Sequence, residues 1–205
     1  MARLAAAEDA EAVTEALALA FHEDPVWSWA FPDPERRLEQ HRAVWGLLVR
    51  ANIEEGSVWQ AAGGEAAAVW VLPGRPELGP EDEQRLETLL RGSMGAGAAR
   101  VLDTFERFEA AHPHERGEHH YLSLLGTHPD QRGRGLGMGL LADNLRRIDA
   151  EHASAFLESS NPANDHRYER LGFAPCGKFE LGEDGPVVTQ MWRVPSRVGS
   201  DQLRP

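Results

Sequence analysis

The chain has 205 residues, with 21 Lys and Arg against 33 Asp and Glu, a formal net charge of −12, 41% hydrophobic residues and a single cysteine. That length is one domain with a substantial core. The charge argues against binding to nucleic acid or an anionic membrane, both of which rest on summed Lys and Arg contacts with phosphates, and it tilts weakly toward a cationic substrate. One thiol excludes an internal disulfide framework and fits a reducing compartment, no apolar run reaches the length of a membrane helix, and the N-terminal residues lack the basic-then-apolar pattern of a secretory signal. The expectation is a cytoplasmic protein.

In chain order, Arg3-Leu4-Ala5 reads as a short edge strand and Glu8 to Phe21 as a helix with Val13, Leu17 and Ala20 inward. Pro25 interrupts it, and a second helix starts at Pro34, after Asp33, and runs toward Ile53. Strands are expected over Val58 to Ala61 and Ala66 to Leu72, joined by a turn at Gly63-Gly64. Pro73 to Pro80 is a loop, Glu81 to Arg91 is helical, and Gly92, Gly95 and Gly97 break the helix before it resumes from Val101 to Ala111. Tyr121 to Thr127 is a buried strand ended by Pro129-Asp130. A helix follows with Leu140, Leu141, Leu145 and Ile148 on one face, then a strand from Ala155 to Ser160. Lys178 to Leu181 and Val187 to Val194 read as a closing antiparallel pair. The reading is one domain over 1–195 with a frayed tail over 196–205.

The most informative stretch is Thr127-His128-Pro129-Asp130-Gln131-Arg132-Gly133-Arg134-Gly135-Leu136-Gly137-Met138-Gly139. It places a glycine-rich loop where a strand gives way to a helix, so unpaired main-chain N–H groups and the positive helix end converge on one spot that lacks Cβ atoms. A phosphate or pyrophosphate is the expected guest. The dinucleotide fingerprint G-x-G-x-x-G fails, because positions 138 and 140 are Met and Leu, and the P-loop fails because the only lysine is Lys178.

Arg132-Gly133-Arg134-Gly135-Leu136-Gly137 does resemble the [Gln/Arg]-x-x-Gly-x-Gly/Ala loop of the GNAT superfamily of N-acetyltransferases, and Asn164 with Tyr168-Glu169-Arg170-Leu171-Gly172-Phe173 resembles that superfamily's next motif. Ala18-Leu19-Ala20-Phe21 with Asp24-Pro25, Val58-Trp59, Ala67-Ala68-Val69-Trp70 and Phe156-Leu157-Glu158 extend the likeness to the puromycin N-acetyltransferase-like enzymes, except between Glu77 and Glu118. The resemblance implies an α/β (α+β) GNAT fold, with a mixed, mostly antiparallel sheet splayed between its two central strands and flanked by helices.

It also implies acetyl-CoA as cofactor, with Gly133 to Met138 around the pyrophosphate and Arg132 and Arg134 beside it. The main chain of Leu125, Gly126 and Thr127 would meet the pantetheine, with Asn164 near its end and an N–H around Leu125 facing the developing oxyanion. Thr127 replaces the aliphatic residue common there, which a main-chain role tolerates. Tyr168 is placed to protonate the departing thiolate, its ordinary pKa near 10 letting it carry a proton at neutral pH.

The base is open. Side-chain alternation puts His119 and Tyr121 on one face of the central strand, the face that looks into the acceptor site in relatives, and Glu158 on the next strand is the rival. Asp24, Trp27, Trp29 and Trp70 are candidates for the acceptor site as carboxylate and aromatic faces; Trp29 and Trp70 read equally as core, and Asp24 as a turn former. His112, His114, His119 and His120 match no zinc spacing, so no metal is expected. The reading is an acetyl-CoA-dependent N-acetyltransferase, a monomer or homodimer acting on the amine of a small molecule, an antibiotic or aminoacyl-type metabolite, in resistance or detoxification. Acetylation of a protein or peptide terminus and a non-catalytic acyl-CoA sensor are the alternatives.

Overall fold

The computed structural model describes residues 2–61, 63–182 and 184–196. Seven strands form one sheet in the order β1-β2-β3-β4-β5-β7-β6: β1 Arg3–Leu4, β2 Val58–Gln60, β3 Ala66–Val71, β4 His120–Thr127, β5 Ala155–Ser159, β6 Ala174–Glu180 and β7 Val187–Arg193. The helices are α1 Ala10–Phe21, α2 Pro25–Ala30, α3 Pro34–Glu54, α4 Pro80–Met94, α5 Ala98–Ala111, α6 Leu136–Ala150 and α7 Asp165–Glu169. Neighbouring strands pair antiparallel except β4 and β5, which run parallel.

Helices cover both faces, so β3 is buried at every position instead of alternating. On one face Val13, Leu17, Val44, Trp45 and Leu48 of α1 and α3 pack with Val58, Ala67, Val69 and Leu124. On the other, Leu140, Leu141, Leu145 and Ile148 of α6 pack with Ala66, Ala68, Trp70 and Leu122. Leu122 and Leu124 thus lie on opposite faces, although strict alternation puts residues two apart on the same one. The cause is a bulge: consecutive Val69 and Trp70 of β3 face Leu124 and Leu122, leaving Ser123 as the extra residue.

Past this bulge β4 and β5 separate. Their pairing covers only His120 with Ala155, Tyr121 with Phe156 and Leu122 with Leu157, while β5 continues to pair with β7 through Ser159. The expected splay is therefore present, and it opens a cleft between the C-terminal halves of the two central strands.

Several local expectations change. The segment Pro25–Ala30, where the sequence shows only an interruption of the first helix, is a short helix, because Asp24 Oδ1 accepts from the main-chain N–H groups of Val26 and Trp27 at 3.0 and 3.3 Å and Pro25 fits the first turn. The buried Arg37 guanidinium fixes its surroundings, donating to the carbonyls of Phe31 at 2.6 Å and His22 at 2.9 Å. Gly92 does not break α4, which ends at Gly95 with a positive φ of 56°. The edge strand β6 begins at Ala174, well before Lys178, on a sequence with no clear alternation. Of the expected tail only Ser196 lies among the described residues, where its main-chain N–H donates to Asp149 Oδ1 at 2.9 Å.

Candidate active site

A cavity of about 1530 Å³ follows the splay. One end is lined by Gly133, Gly135 and Leu136 to Met138, the middle by Leu124 to Thr127 and Tyr168, and the other end by Trp27, Phe105, Phe108, Glu77 and Glu158.

The glycine-rich end is made of main chain. Gly133 and Gly135 have φ of 80° and 73°, in the left-handed region that disfavours a Cβ, and a Cβ at either would meet nothing within 4 Å. Gly135 immediately precedes α6, and the first turn closes with Gly139 N–H donating to Gly135 O at 2.8 Å. The N–H groups of Leu136, Gly137 and Met138 therefore fall in the first turn, where a helix offers no acceptor, at its positive end. Gly137 serves packing: a Cβ there would stand 2.6 Å from Thr127 Oγ1, so its absence lets α6 press against β4. Arg132 lines the cavity, and its guanidinium donates to Ala20 O at 2.9 Å. Arg134 pairs with Gln131 and is not among the lining residues.

Leu125, Gly126 and Thr127 pair with Ala68, Ala67 and Ala66 of β3 and have no strand on the β5 side, leaving main-chain groups open to the cleft. Gly126 is pressed on the opposite face by α1, where a Cβ would stand 2.8 Å from the Cβ of Ala20. Together these features fit a phosphate-bearing extended ligand: a bare anion-binding helix start, then an unpaired strand edge of peptide groups. Asn164 lines the same cavity one residue before α7. Tyr168 on α7 lines it too, with its phenol pKa raised to about 12 by burial and by the carboxylates of Asp24 and Asp165. It therefore holds its proton throughout the neutral range.

The opposite end is made of side chains. Tyr121 Oη donates to Glu158 Oε2 at 2.8 Å, while Glu158 Oε1 is buried without a partner among the described residues. Burial, offset in part by that hydrogen bond and reinforced by Glu77 and Glu109, raises the Glu158 pKa to about 8. Burial and Glu158 together raise Tyr121 well above an ordinary phenol. Glu77, from the loop after β3, accepts from the Ser123 hydroxyl, and burial raises its pKa as well.

His119 falls just before β4, on the Tyr121 side. Its Nδ1–H donates to Gly117 O at 2.7 Å, which leaves Nε2 as acceptor for the His112 Nε2–H at 3.0 Å. Burial lowers both histidines, His112 to about 4, so the pair is neutral at pH 7. Their rings stack at 5.0 Å, and Trp192 stands 4.8 Å from His119.

Asp24 lines the cavity while capping α2, and its Oδ2 accepts from Ser160 Oγ at 2.7 Å, linking α2 to the end of β5. Burial raises its pKa. Trp27 lies beside it, edge-on to Trp45 at 4.6 Å and stacked on Phe108 at 5.9 Å. The other two tryptophans are elsewhere. Trp70 sits in the core under α6, its Nε1–H donating to Asn144 Oδ1 at 3.0 Å, because its position in β3 points to the α6 face. Trp29 lies outside the cavity beneath the Arg100 guanidinium, 5.2 Å from its ring, because it falls on the side of α2 away from the cleft. The structure thus brings Asp24 and Trp27 to the cavity and leaves Trp29 and Trp70 out of it. Sequence reasoning missed Glu77 and Ser123. Ser123 carried no signal before the bulge was known, and Glu77 stands in a loop with no periodicity.

Residues 108–193 match the acetyltransferase (GNAT) domain family. The fold as a whole is similar to the histone acetyltransferase HPA2 and related acetyltransferase of Corynebacterium glutamicum, at 23% identity and a TM-score of 0.68, covering 96% of each chain. The fold is GNAT. It is also similar to the polyamine N-acetyltransferase of Drosophila melanogaster, at 18% identity and a TM-score of 0.64 over 95% of this chain and 99% of that one. A mosquito arylalkylamine N-acetyltransferase-like protein matches at 16% identity and a TM-score of 0.65 over 95% and 99%. The GNAT match begins near the end of α5, so it covers the splay, the glycine-rich loop and Tyr168, while α1 to α4 lie ahead of it. Among the described residues no helix is long and apolar enough to cross a membrane.

Proposed function

We propose that the protein is an acetyl-CoA-dependent N-acetyltransferase acting on the amine of a small molecule. The observation that carries this reading is the continuity of one cavity from the bare start of α6, past the unpaired edge of β4 and Tyr168, to buried carboxyl groups. Structures sharing the fold include enzymes named for agmatine, polyamines and arylalkylamines, which supports an amine acceptor.

In this reading the N–H groups of Leu136 to Met138 hold the pyrophosphate, Arg132 stands at the rim, and Leu125 to Thr127 with Asn164 hold the pantetheine arm. Acetyl-CoA, when bound, supplies the acetyl thioester. Transfer requires that the acceptor amine lose a proton and the departing sulfur gain one. Tyr168 holds a proton at Oη, within the same cavity as the strand edge. The amine's proton goes to Glu158. Both ring nitrogens of His119 are engaged with Gly117 and His112, whereas Glu158 keeps one oxygen free and a pKa of about 8, near the working range of a general base.

The test is release of CoA from acetyl-CoA by the purified protein over an amine panel that includes aminonucleosides, aminoacyl metabolites, alkylamines and an N-terminal peptide. Small amines are expected to drive release. An antibiotic role requires that an aminonucleoside be among the best of them. Release driven by the peptide alone would move the reading to terminal acetylation.

A further inference from the structure

Glu77 and Glu158 are two buried carboxyl groups lining the same end of the cavity, and among the described residues no cation stands beside either; Glu109, which lines the cavity too, faces His114 at 3.2 Å. Glu77 accepts only from the neutral Ser123 hydroxyl, and Glu158 only from Tyr121, with Oε1 unpartnered. Among the described residues neither makes an ion pair; of the arginines that line the cavity, Arg75 pairs with Glu55 at 2.7 Å, Arg132 stands at the glycine-rich end and donates to Ala20 O, and Arg167 lies on α7. Buried carboxylates are ordinarily paired, and two that face the same space repel each other until a counter-charge arrives. Glu77 is also a built position, because its main-chain carbonyl accepts from the buried Asn52 Nδ2 at 3.2 Å, and Asn52 Nδ2 donates again to Leu48 O at 2.9 Å. The loop that carries it is therefore tied to α3.

One amine does not satisfy both groups. The nitrogen that is acetylated must be neutral when it attacks, so the proton it gives to Glu158 removes both of those charges together. That leaves Glu77 facing the substrate. Trp27, Phe105 and Phe108 wall the same end of the cavity and offer an apolar surface for a spacer.

Resting on the acetyltransferase reading, we infer that the acceptor carries a second protonated nitrogen, separated from the reacting amine by an apolar spacer, and that Glu77 binds it. The substrate class is the diamines and aminoalkylguanidines, and Glu77 is a specificity-determining residue.

The experiment is calorimetry on the CoA-saturated protein, with diamines from diaminopropane to diaminohexane and the matching aminoalkylguanidines, each against the monoamine of the same chain length. CoA release on the same panel is measured in parallel. In the wild type at least one dication is expected to bind roughly tenfold or more tightly than its monoamine, a difference of about 1.4 kcal/mol. Glu77→Gln should erase that advantage while leaving monoamine affinity and the unfolding temperature nearly unchanged, and Glu77→Asp should keep part of it. Equal affinity for mono- and dications in the wild type overturns the inference without any variant, as does a preference that survives Glu77→Gln. The two readings fail separately. A Glu77-dependent dication preference without CoA release would leave this site standing and remove the acetyltransferase reading, whereas CoA release with equal affinity for both amine classes would do the reverse.

Discussion

At the α6 end of the cavity the wall is main chain: two left-handed glycines, the open N–H groups of a first helical turn and a strand edge without a neighbour. At the α5 end it is side chains: Trp27 from α2, Phe105 and Phe108 from α5, Glu77 from the loop after β3, and Tyr121 and Glu158 from the central strands. A main-chain site depends on conformation, so it tolerates few residues at a few positions and leaves a local pattern in sequence. A side-chain site is assembled from distant segments, so its members are set by packing and leave no pattern. The first kind suits a ligand that never changes, and the second a ligand that distinguishes one relative from another.

Tyr168→Phe probes the point where the two ends meet and carries the largest expected effect. The ring still packs 6.2 Å from Phe173, so stability and CoA affinity should hold while turnover falls by roughly 10²–10⁴-fold, the scale for a positioned acid. Near-normal turnover at a chemistry-limited rate would remove the tyrosine from proton transfer.

Trp70→Ala asks whether an aromatic outside the cavity matters to the acceptor. Trp70 is 2% exposed, so its loss should cost about 3–5 kcal/mol of stability in denaturant unfolding, with the KM for the amine unchanged in whatever folds. A raised amine KM with intact stability would return Trp70 to the acceptor site.

Gly135→Val separates the ends in the other direction. A side chain at φ 73° costs about 1–2 kcal/mol, and its methyls would occupy the approach to the α6 start. CoA affinity should fall at least about tenfold, with circular dichroism unchanged. Undiminished CoA binding would place the cofactor elsewhere.

The smallest effect is on pH. The Glu158 pKa is raised in the fold, so its contribution to stability is full below the unfolded value near 4.5 and is lost as pH rises through about 8. His112 is lowered, so its contribution is full above 6.5 and is lost as pH falls through about 4. For these two groups the opposing changes cancel between about pH 4.5 and 6.5, so unfolding temperatures should be highest there and decline as pH rises from 6.5 through about 8, and Glu158→Gln should remove that alkaline limb. An alkaline limb that persists in the variant would assign it to another group.

The same contrast explains what was legible in the sequence. Helices α1, α3 and α6 were readable because their apolar faces keep helical period, and α3 and its start because Asp33 and Pro34 supply a cap and a first turn; Asp33 Oδ1 accepts from Glu35 N–H at 3.0 Å. The glycine-rich loop was readable because positive φ restricts the residue type. Helix α2 was not legible because a six-residue helix is too short to show a period, although its cap, Asp24 before Pro25, stands in the sequence. Trp70 and Ser123 were not placeable, since which face a strand residue takes depends on a bulge that no local pattern announces. Glu77 became visible only once the fold closed over it.

The most direct measurement is mass spectrometry of the amines after incubation with purified protein and acetyl-CoA, alongside CoA release. The account predicts N-acetylated amine formed in step with CoA and depending on Tyr168. CoA bound at the α6 start, as judged by its sensitivity to Gly135→Val, with no acetylated amine and no release above spontaneous hydrolysis, would contradict it and make the protein a non-catalytic acyl-CoA sensor.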